Sequence, residues 1–380
     1  MSRLSGLCVG VPVEIKAGEH RVAGLPLHVR RLVDLGCRVV VQRSAGAGTG
    51  HSDNEYASAG AELVADLADV YAQADIVWKV KEILPDEFGM VRRGQVIFTY
   101  LHAPPRPEMV RVLRESGCIA IAYEEMADDL GRRPLLAPMS RMAGAGGVLL
   151  AGQFGQTRHG GCGKLLFGTD GAAPMTFVIL GGGVAGRAAA RAALGAGALV
   201  HLLETVSEKL AELRRALPEA HVVHSDRDAL CRLLPETDVL MNCTYWMPGD
   251  PHVVTRDMLS LMRRGSLIMD ISADAHGAVE TSETTTHDDP LREVDGILHY
   301  CVQNIPALFA RSASEALSAA TWPYLERMAR DGVQQAAREC DVLRSGVVLW
   351  RGAAVGADLG RIQGIETLAP GDLPALLDAE

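Results

Sequence analysis

Three basic side chains in the first third of the chain follow apolar runs that have the length of buried strands. Arg21 comes after the first run, Lys81 directly after a later one, and His102 after the run Val96–Thr99. Open α/β sheets bind ligands beyond the carboxyl ends of their strands, so we expect these side chains to line one cleft. A guanidinium and an ammonium group would hold a small carboxylate, and an imidazole would donate or accept a proton. Taken singly, each cation is more simply a surface group and the histidine a core residue, so the prediction depends on their grouping.

Lys79 and Lys81 stand two residues apart in the segment DIVWKVKEILP. On an extended strand both side chains would point to the same face. Two ammonium groups inside a covered parallel sheet are costly, so the strand is predicted to emerge there at a cleft or at water. We expect Lys79 to be a solvated surface cation.

A glycine-rich turn gives the most specific motif of the chain. Gly181, Gly183 and Gly186 form the pattern G-x-G-x-x-G between an apolar strand and a helix of small residues. The first glycine permits the tight turn, the second lets the backbone approach a pyrophosphate, and the third lets the helix pack on the strand. The start of that helix, with Val184 and Ala185, would offer free N–H groups to phosphates.

An acidic residue stands at the expected distance from this turn. Glu204 ends the next strand, Leu199–Leu203, where an acid binds the ribose diol of a dinucleotide. The residues that follow it, 205–207, include no arginine for a 2′-phosphate. The motif therefore predicts NAD rather than NADP as the cofactor.

Two aspartates follow a buried strand in the segment SLIMDISADAHG. In a dinucleotide-binding domain this position borders the nicotinamide, so Asp270 or Asp274 is a candidate acid or base, or an orienting group for ammonia or an imine. A turn or helix-capping aspartate fits Asp270 about as well.

Strand and helix patterns alternate through both halves of the chain, which predicts mostly parallel sheets covered by helices. The strand-like runs of the first series are Leu7–Val11, Arg38–Gln42, Ile76–Val80, Val96–Thr99 and Ile119–Ala122. A second series begins at Thr176 and continues to the run Ile297–Tyr300. A glycine-rich polar stretch, residues 152–174, reads as a loop or a connection between domains. The last apolar segment, Ala313–Cys340, is predicted to be helical and to pack back on the first domain.

Composition restricts the class of protein. The chain has 380 residues, enough for about two domains, and 48% of them are hydrophobic but only 4% aromatic. A net charge of −10 disfavours nucleic acid and anionic membranes as partners. No apolar stretch is long enough to span a bilayer and no signal peptide is evident, so we expect a cytoplasmic protein. Its eight cysteines include no C-x-x-C pair, and we expect free thiols and no metal site.

The order of these segments resembles the alanine dehydrogenase family, which shares its fold with the NAD-binding part of proton-translocating transhydrogenase. The resemblance runs from about residue 8 to about residue 330. It rests on the segments GVPVEIKAGEHRVA, ADIVWKVKEILP, VIFTYLH, IAYEEM, PLLAPMSRMAG, ILGGGVAG, GSLIMDISADAHGAVETSETTTHDDP and HYCVQNIP.

The resemblance implies an α/β protein with two doubly wound, Rossmann-like domains and a cleft between them. Residues 1–134 and 311–380 would form a discontinuous substrate and catalytic domain, and residues 135–310 the NAD-binding domain. Members of this family are homo-oligomers, often hexamers, so a homo-oligomer is expected.

The resemblance also implies roles for individual residues. His102, Lys81 and Asp274 match the family's catalytic positions. The positions that match its substrate-binding residues are Arg21, Lys81, Met139 and Asn304. Those expected to bind the cofactor are Ser140, Gly181, Gly183, Val184, Ala185, Gly186, Glu204, Asp274 and Asn304.

The reaction that the resemblance implies is the reversible oxidative deamination of L-alanine. NAD accepts the Cα hydride, and water converts the resulting imine to pyruvate and ammonium. Arg21 and Lys81 would hold the carboxylate and the developing carbonyl, while His102 and Asp274 would share the proton transfers.

Departures from the family pattern leave alternatives open. Tyr245, Trp246 and Met247 stand where the family has small aliphatic residues, and Ala275-His276 replaces its Gln-Gly. These changes fit either neutral drift or a pocket rebuilt for another amino acid, amine or 2-oxo acid. A third alternative is a transhydrogenase-type NAD-binding subunit, which the retention of Lys81 and His102 disfavours.

Overall fold

The computed structural model describes residues 6–273 and 275–373. Its strands are short apolar runs, most of them buried on both faces as parallel strands between helices require. They are β1 (Cys8–Val11), β2 (Arg38–Gln42), β3 (Glu62–Val64), β4 (Ile76–Trp78), β5 (Val96–Thr99), β6 (Ile119–Ala122), β7 (Thr176–Leu180), β8 (Leu199–Glu204), β9 (His221–His224), β10 (Val239–Asn242), β11 (Leu267–Asp270), β12 (Leu291–Val294), β13 (Ile297–Tyr300), β14 (Val347–Trp350) and β15 (Ala353–Ala354).

The helices bury an apolar stripe, and several begin or end at residues that favour those positions. Proline stands at the first position of the helices that start at Pro26 and Pro107, and Ser52 and Glu55 form a capping box. The helices are α1 (Pro26–Asp34), α2 (Asp53–Ser58), α3 (Leu67–Gln73), α4 (Pro107–Ser116), α5 (Leu136–Phe154), α6 (Val184–Gly195), α7 (Ser207–Ala216), α8 (Arg227–Leu233), α9 (Ala310–Asp331), α10 (Val333–Glu339), α11 (Asp341–Ser345) and α12 (Ala357–Gln363).

The chain forms two compact units. Unit 1 comprises Met1–Met139 and Ala307–Glu380, and unit 2 comprises Ser140–Pro306. The boundary between Met139 and Ser140 falls inside α5. The catalytic and cofactor roles that the sequence assigns to the two domains stay predictions.

Unit 1 has an eight-stranded sheet in the order β15-β14-β6-β5-β4-β1-β2-β3. The strands β1 to β6 are parallel, and β14 and β15 add an antiparallel edge. After β1, the chain adds β2 and β3 on one side of that strand. It then adds β4, β5 and β6 on the other side of β1. The carboxyl ends of β1 and β4 therefore lie at a topological switch point, where doubly wound sheets bind ligands.

Unit 2 repeats this arrangement with seven strands in the order β12-β13-β11-β10-β7-β8-β9. All neighbouring pairs are parallel except β12 with β13, and the switch point lies between β7 and β10. The prediction of an α/β fold with two doubly wound domains is confirmed.

Helix α9, from the second chain segment of unit 1, contacts the start of unit 1. The Ser314 hydroxyl accepts a hydrogen bond from the Val22 N–H at 2.9 Å, and the Ser318 hydroxyl lies 2.7 Å from Nδ1 of His28. All four residues are buried. Residues about 290 positions apart in the chain thus share one core.

The expected solvation of Lys79 is wrong. Its side chain is 1% exposed, and its ammonium group contacts the carboxylate of Glu87 and lies 3.7 Å from Oε2 of Glu14. The Tyr71 hydroxyl also donates to Glu87. The strand-like run was predicted to continue to Val80, but β4 ends at Trp78 because the Val80 N–H donates to the Glu14 carboxylate. Carboxylates, rather than water, offset the buried positive charge.

We predict that Lys79→Met lowers the free energy of unfolding by about 3–5 kcal/mol, because it leaves two carboxylates buried without their cation. Burial already raises the pKa of Glu14 to about 7. A carboxyl whose folded pKa is raised destabilises the fold above its unfolded pKa, so the loss should shrink as the pH falls from about 8 to about 5. Urea denaturation measures both effects.

The matched variant is the double substitution Lys79→Met with Glu87→Gln. It removes one of the uncompensated charges while the amide oxygen can still accept from Tyr71, so part of the stability should return. A loss below about 1 kcal/mol for Lys79→Met, or no recovery in the double variant, would contradict this account.

Candidate substrate and dinucleotide sites

In unit 1, the Glu14 carboxylate joins the two strand ends at the switch point. Glu14 follows β1, and it accepts hydrogen bonds from the backbone N–H groups of Val80, at 2.5 Å, and Lys81, at 3.3 Å, which follow β4. The Thr99 hydroxyl at the end of β5 donates to the Lys81 carbonyl at 2.7 Å. The backbone of Lys81 is therefore held on both sides.

The Lys81 side chain is 8% exposed, and its nearest counterion is the neighbouring carboxylate of Glu82, 3.8 Å from Nζ. Burial lowers the pKa of Lys81 to about 8; the positive charges of Lys16 and Arg21 act in the same direction, and the Glu82 charge opposes them. Lys81 is thus a cation at neutral pH that loses its proton within reach of alkaline conditions.

Arg21 is 3% exposed and its guanidinium is oriented by Glu19. Nε and Nη2 donate to the two carboxylate oxygens of Glu19 at 2.7 and 2.6 Å, a bidentate pair. Nη1 lies 3.2 Å from the sulfur of Met139. The position of the guanidinium is fixed by this pair, and Met139 packs against it. The roles of both residues in substrate binding stay predictions.

His102 has a left-handed backbone conformation, with φ of 46°. Its N–H donates to Glu124, which also accepts from the Leu101 N–H at 3.2 Å, and its ring is stacked on Tyr100 with the ring centroids 6.1 Å apart. Burial and the charge of Lys81 lower the pKa of His102 to about 3, so the imidazole is neutral and can accept a proton. Burial raises the pKa of Glu124 to about 7.

Glu82 is a charged residue of this cluster that the sequence did not single out. Its carboxylate is 2% exposed and accepts from Lys16 at 2.7 Å and from Arg106 at 2.9 Å. Although burial raises its pKa, the charges of Lys81, Lys16 and Arg106 hold it well below the usual range. The sequence signal that could have identified Glu82 was its position directly after Lys81. The corresponding signal for Glu19 was its position two residues before Arg21.

In unit 2, the glycine turn lies at the second switch point. Gly181 has φ of +91°, and a Cβ there would lie 2.9 Å from the carbonyl oxygen of Cys243, which follows β10. A Cβ on Gly186 would lie 1.8 Å from the Gly181 carbonyl oxygen, so only glycine lets α6 pack this closely on the turn.

The same turn has the features needed to hold a pyrophosphate. A Cβ at Gly183 would meet no atom within 4 Å, so the backbone there is open to close approach. Helix α6 begins at Val184, followed by Ala185, without a side-chain cap or an acidic residue in its first turn. Its first N–H groups can therefore bind an anion. These residues fit a dinucleotide.

Glu204 ends β8 with its side chain 6% exposed. Oε2 accepts from the Gly182 N–H at 3.0 Å and Oε1 from the Val206 N–H at 2.9 Å. A carboxylate has about four acceptor positions, so these two bonds fix its orientation and leave others for ribose hydroxyls. Arg187, on the first turns of α6, donates to the Gly182 carbonyl and pairs with Glu212.

The loops after β11 and β13 contain the remaining predicted residues. Asp274 lies outside the described residues. Asp270 is 1% exposed and accepts from Asn242, Ser282 and the Ala273 N–H, which fits its alternative interpretation as a turn aspartate.

Among the described residues of these loops, three that are not glycine have positive φ angles: Ala273 at 54°, His276 at 50° and Asn304 at 74°. Gln303, which precedes Asn304, donates to the Ala273 carbonyl at 3.4 Å, so the two loops are in contact. Ser140 lies on α5, half-buried. Strained backbone of this kind is concentrated at functional sites, which supports the predicted importance of these loops.

The residues after β10 that depart from the family pattern, Tyr245–Met247, make the contacts described here within their own loop. Trp246 is stacked on His252, and its Nε1 donates to the Asp250 carbonyl. Tyr245 is 85% exposed, and its hydroxyl contacts the sulfur of Met247.

Three further findings concern the whole of the described chain. None of its described helices is long and apolar enough to cross a membrane. Within residues 6–273 and 275–373, no group of three or more histidine, cysteine, aspartate or glutamate side chains is placed to hold a metal ion. All eight cysteines are free thiols, as expected.

Comparison with known proteins relates both units to one family. Residues 10–143 match the family described as alanine dehydrogenase/PNT, N-terminal domain, and residues 147–356 match the corresponding C-terminal domain.

Similar proteins agree with this match over nearly the whole chain. The alanine dehydrogenase of Halomonas elongata is 41% identical over 342 residues, which cover 89% of this chain and 92% of the relative. That of Bacillus subtilis is 39% identical over 363 residues, covering 93% and 95%.

Solved structures give the same result. An L-alanine dehydrogenase with 35% identity superposes with a TM-score of 0.88, covering 94% of this chain and 99% of that one. A transhydrogenase from Sinorhizobium meliloti, at 24% identity and a TM-score of 0.77, shares the fold. With two family domains matched in order and relatives this similar along their length, the chain belongs to the alanine dehydrogenase/PNT family.

Proposed function

We propose that this chain is an NAD-dependent alanine dehydrogenase that interconverts L-alanine and water with pyruvate and ammonium. The observation that carries the proposal is the grouping of Arg21, Lys81 and His102 at the switch point of unit 1. Each has its position fixed by a buried carboxylate of Glu19, Glu14 or Glu124. Such a cluster suits a small anionic substrate that must exchange protons.

Arg21 and Lys81 would bind the substrate carboxylate and the oxygen of the 2-oxo acid. Arg21 is pre-oriented by its bidentate pair with Glu19, so little side-chain entropy is lost when the substrate binds. Lys81 is a compact cation with low exposure, where its attraction for an anion is weakly screened.

His102 would take the proton from the water that adds to the imine carbon, and would return it in the reverse direction. Burial and, to a smaller extent, the neighbouring cations keep the imidazole neutral before the substrate binds, which suits a proton acceptor. The substrate carboxylate brings a negative charge to Lys81 and Arg21. That charge offsets part of their effect and raises the pKa of His102 toward the working range of a general base. Asp274 stays a prediction as the second proton-transfer group.

Unit 2 would bind NAD, which supplies the acceptor for the Cα hydride when it is bound. The turn at Gly181 to Gly186 would hold the pyrophosphate and Glu204 the ribose diol. Selection of NAD over NADP is supported by the buried carboxylate of Glu204, which would repel a 2′-phosphate. Ser140 and Asn304 stay predicted cofactor contacts.

A homo-oligomer, hexameric by the family resemblance, and a cytoplasmic location are further parts of the proposal. Sedimentation equilibrium of the purified protein tests the oligomeric state. Fractionation of the source cells tests the location.

The test of the substrate is NADH formation from NAD across a panel of amino acids, with the reverse reaction of 2-oxo acids and ammonium. We expect L-alanine and pyruvate to give the largest kcat/KM. Preference for another amino acid would refute alanine as the substrate and support a pocket altered around Tyr245–Met247. Hydride exchange between NADH and NADP without any amino-acid dependence would refute the dehydrogenase itself.

A second prediction concerns Lys81 and pH. Its pKa of about 8 means that the ammonium group is lost as the pH rises through this value, so pyruvate should bind the enzyme–NADH complex more weakly above it. The dissociation constant, measured by quenching of NADH fluorescence, should rise about tenfold per pH unit once Lys81 is neutral.

The matched variant is Lys81→Arg, whose guanidinium stays charged throughout this range. Whatever its absolute affinity, its dissociation constant for pyruvate should not depend on pH between about 7 and 9.5. A wild-type dissociation constant for pyruvate that is equally independent of pH would contradict the role of the Lys81 charge.

A further inference from the structure

The loop after β5, residues 102–106, is held from two sides by amide and guanidinium donors. Nη1 of Arg106 donates to the His102 carbonyl at 2.9 Å, and Nη2 donates to Glu82 at 2.9 Å. From α12, about 260 residues further along the chain, Nε2 of Gln363 donates to the carbonyls of Ala103, at 2.9 Å, and Pro104, at 3.0 Å. All of these residues belong to unit 1.

The loop needs such external donors because of its sequence. His102 has φ of 46°, a left-handed conformation that is unfavourable for a non-glycine residue and persists only where the surroundings impose it. Pro104 and Pro105 have no N–H group, so this part of the loop has few amides with which to stabilise itself. The side chains of Arg106 and Gln363 therefore supply hydrogen bonds that the loop backbone lacks.

We propose that Arg106 and Gln363 are positioning residues that hold His102 in the geometry required for proton transfer. We call the hydrogen bonds from Arg106 and Gln363 to the backbone of residues 102–104 the clamp. The proposal rests on the proposed function, because it assumes that the clamp serves the chemistry of His102. The two residues differ in one physical respect. Gln363 is neutral and acts through position alone, whereas Arg106 also places a positive charge beside the imidazole.

The charge of Arg106 acts together with other groups around His102. Burial has the largest effect on its pKa, and Lys81, Arg106 and Lys16 lower it while Glu82 raises it. The titratable and charged groups that face His102 from the neighbouring elements are Lys16, Lys81, Glu82, Tyr100, Arg106 and Glu124. Removal of one cation should therefore raise the pKa of His102, whereas removal of a neutral donor should leave it unchanged.

The experiment compares Arg106→Gln and Gln363→Ala in the full chain. Arg106→Gln keeps an amide donor and removes the charge, while Gln363→Ala removes a donor and changes no charge. Arg111→Gln on α4 and Gln335→Ala on α10 are the matched controls, because both side chains are exposed and contact glutamates of their own helices.

Two readouts are measured for each variant. The first is kcat and KM for alanine oxidation across pH. The second is the rate at which diethyl pyrocarbonate modifies His102, followed by peptide mass spectrometry. The range runs from about pH 3, which includes the pKa of His102, to about pH 8, because only the neutral imidazole reacts.

We expect Gln363→Ala to lower kcat about tenfold or more with little change in KM and in the pH dependence, as a displaced proton-transfer group would. Arg106→Gln should move the acidic limb of both profiles upward by about one pH unit. The controls should match the wild type. Wild-type kcat in Gln363→Ala together with an unmoved His102 profile in Arg106→Gln would overturn the proposal, as would a change in KM alone.

The modification readout separates this proposal from the proposed function. If the wild-type protein oxidises no amino acid, the proposed function fails, but the His102 profile can still be recorded. A shift in Arg106→Gln and a faster modification in Gln363→Ala would then still support the clamp, and unchanged profiles in both would overturn it.

Discussion

The carboxylate of Glu14 is the interaction on which the functional end of unit 1 depends. Two lysines stand at the end of β4 with almost no exposure to solvent, and their charges must be offset inside the protein. Glu14 lies near the ammonium group of Lys79 and accepts the backbone N–H groups of Val80 and Lys81. It therefore compensates one lysine and sets the direction in which the other leaves the strand.

The same topology positions two kinds of chemistry. In each unit the strand order reverses between the first and fourth strands, and the chain leaves the sheet there in opposite directions. Unit 1 uses the resulting gap for cations held by buried carboxylates. Unit 2 uses it for a turn in which Gly181 and Gly186 permit contacts that a side chain would block. The sheet fixes the place, and the residues after the strands decide what binds.

Much of this could be predicted from the sequence because local patterns determine it. The runs Val96–Thr99, Ile119–Ala122 and Ile297–Tyr300 are strands with the predicted bounds, since apolar runs of this length between helices form buried parallel strands. Edge strands were missed: Leu291–Val294 is largely exposed and Ala353–Ala354 has only two residues, so neither has a periodic apolar pattern.

The charge pairs and hydrogen bonds between residues that lie in different elements could not be predicted. The burial of Lys79 depends on Glu14 and Glu87, which lie 65 and 8 residues away along the chain in other elements. The same holds for the Gln363 contacts with the loop after His102, and for the hydrogen bond from His102 to Glu124. Charge pairs and hydrogen bonds of this kind produce no periodic pattern of residue types in a single sequence. A lysine next to a strand was therefore assigned to the surface, where most lysines lie.

The central claim is that the strand ends of unit 1 carry the amino-acid chemistry while unit 2 binds the dinucleotide, and His102→Ala tests it most directly. The variant is compared with His51→Ala, which alters a histidine on another loop of the same unit. The account predicts that His102→Ala lowers kcat for alanine oxidation about 10²- to 10⁴-fold, while its dissociation constant for NADH stays within about twofold of the wild-type value and His51→Ala changes neither. An unchanged kcat, or a loss of NADH binding as large as the loss of activity, would contradict it.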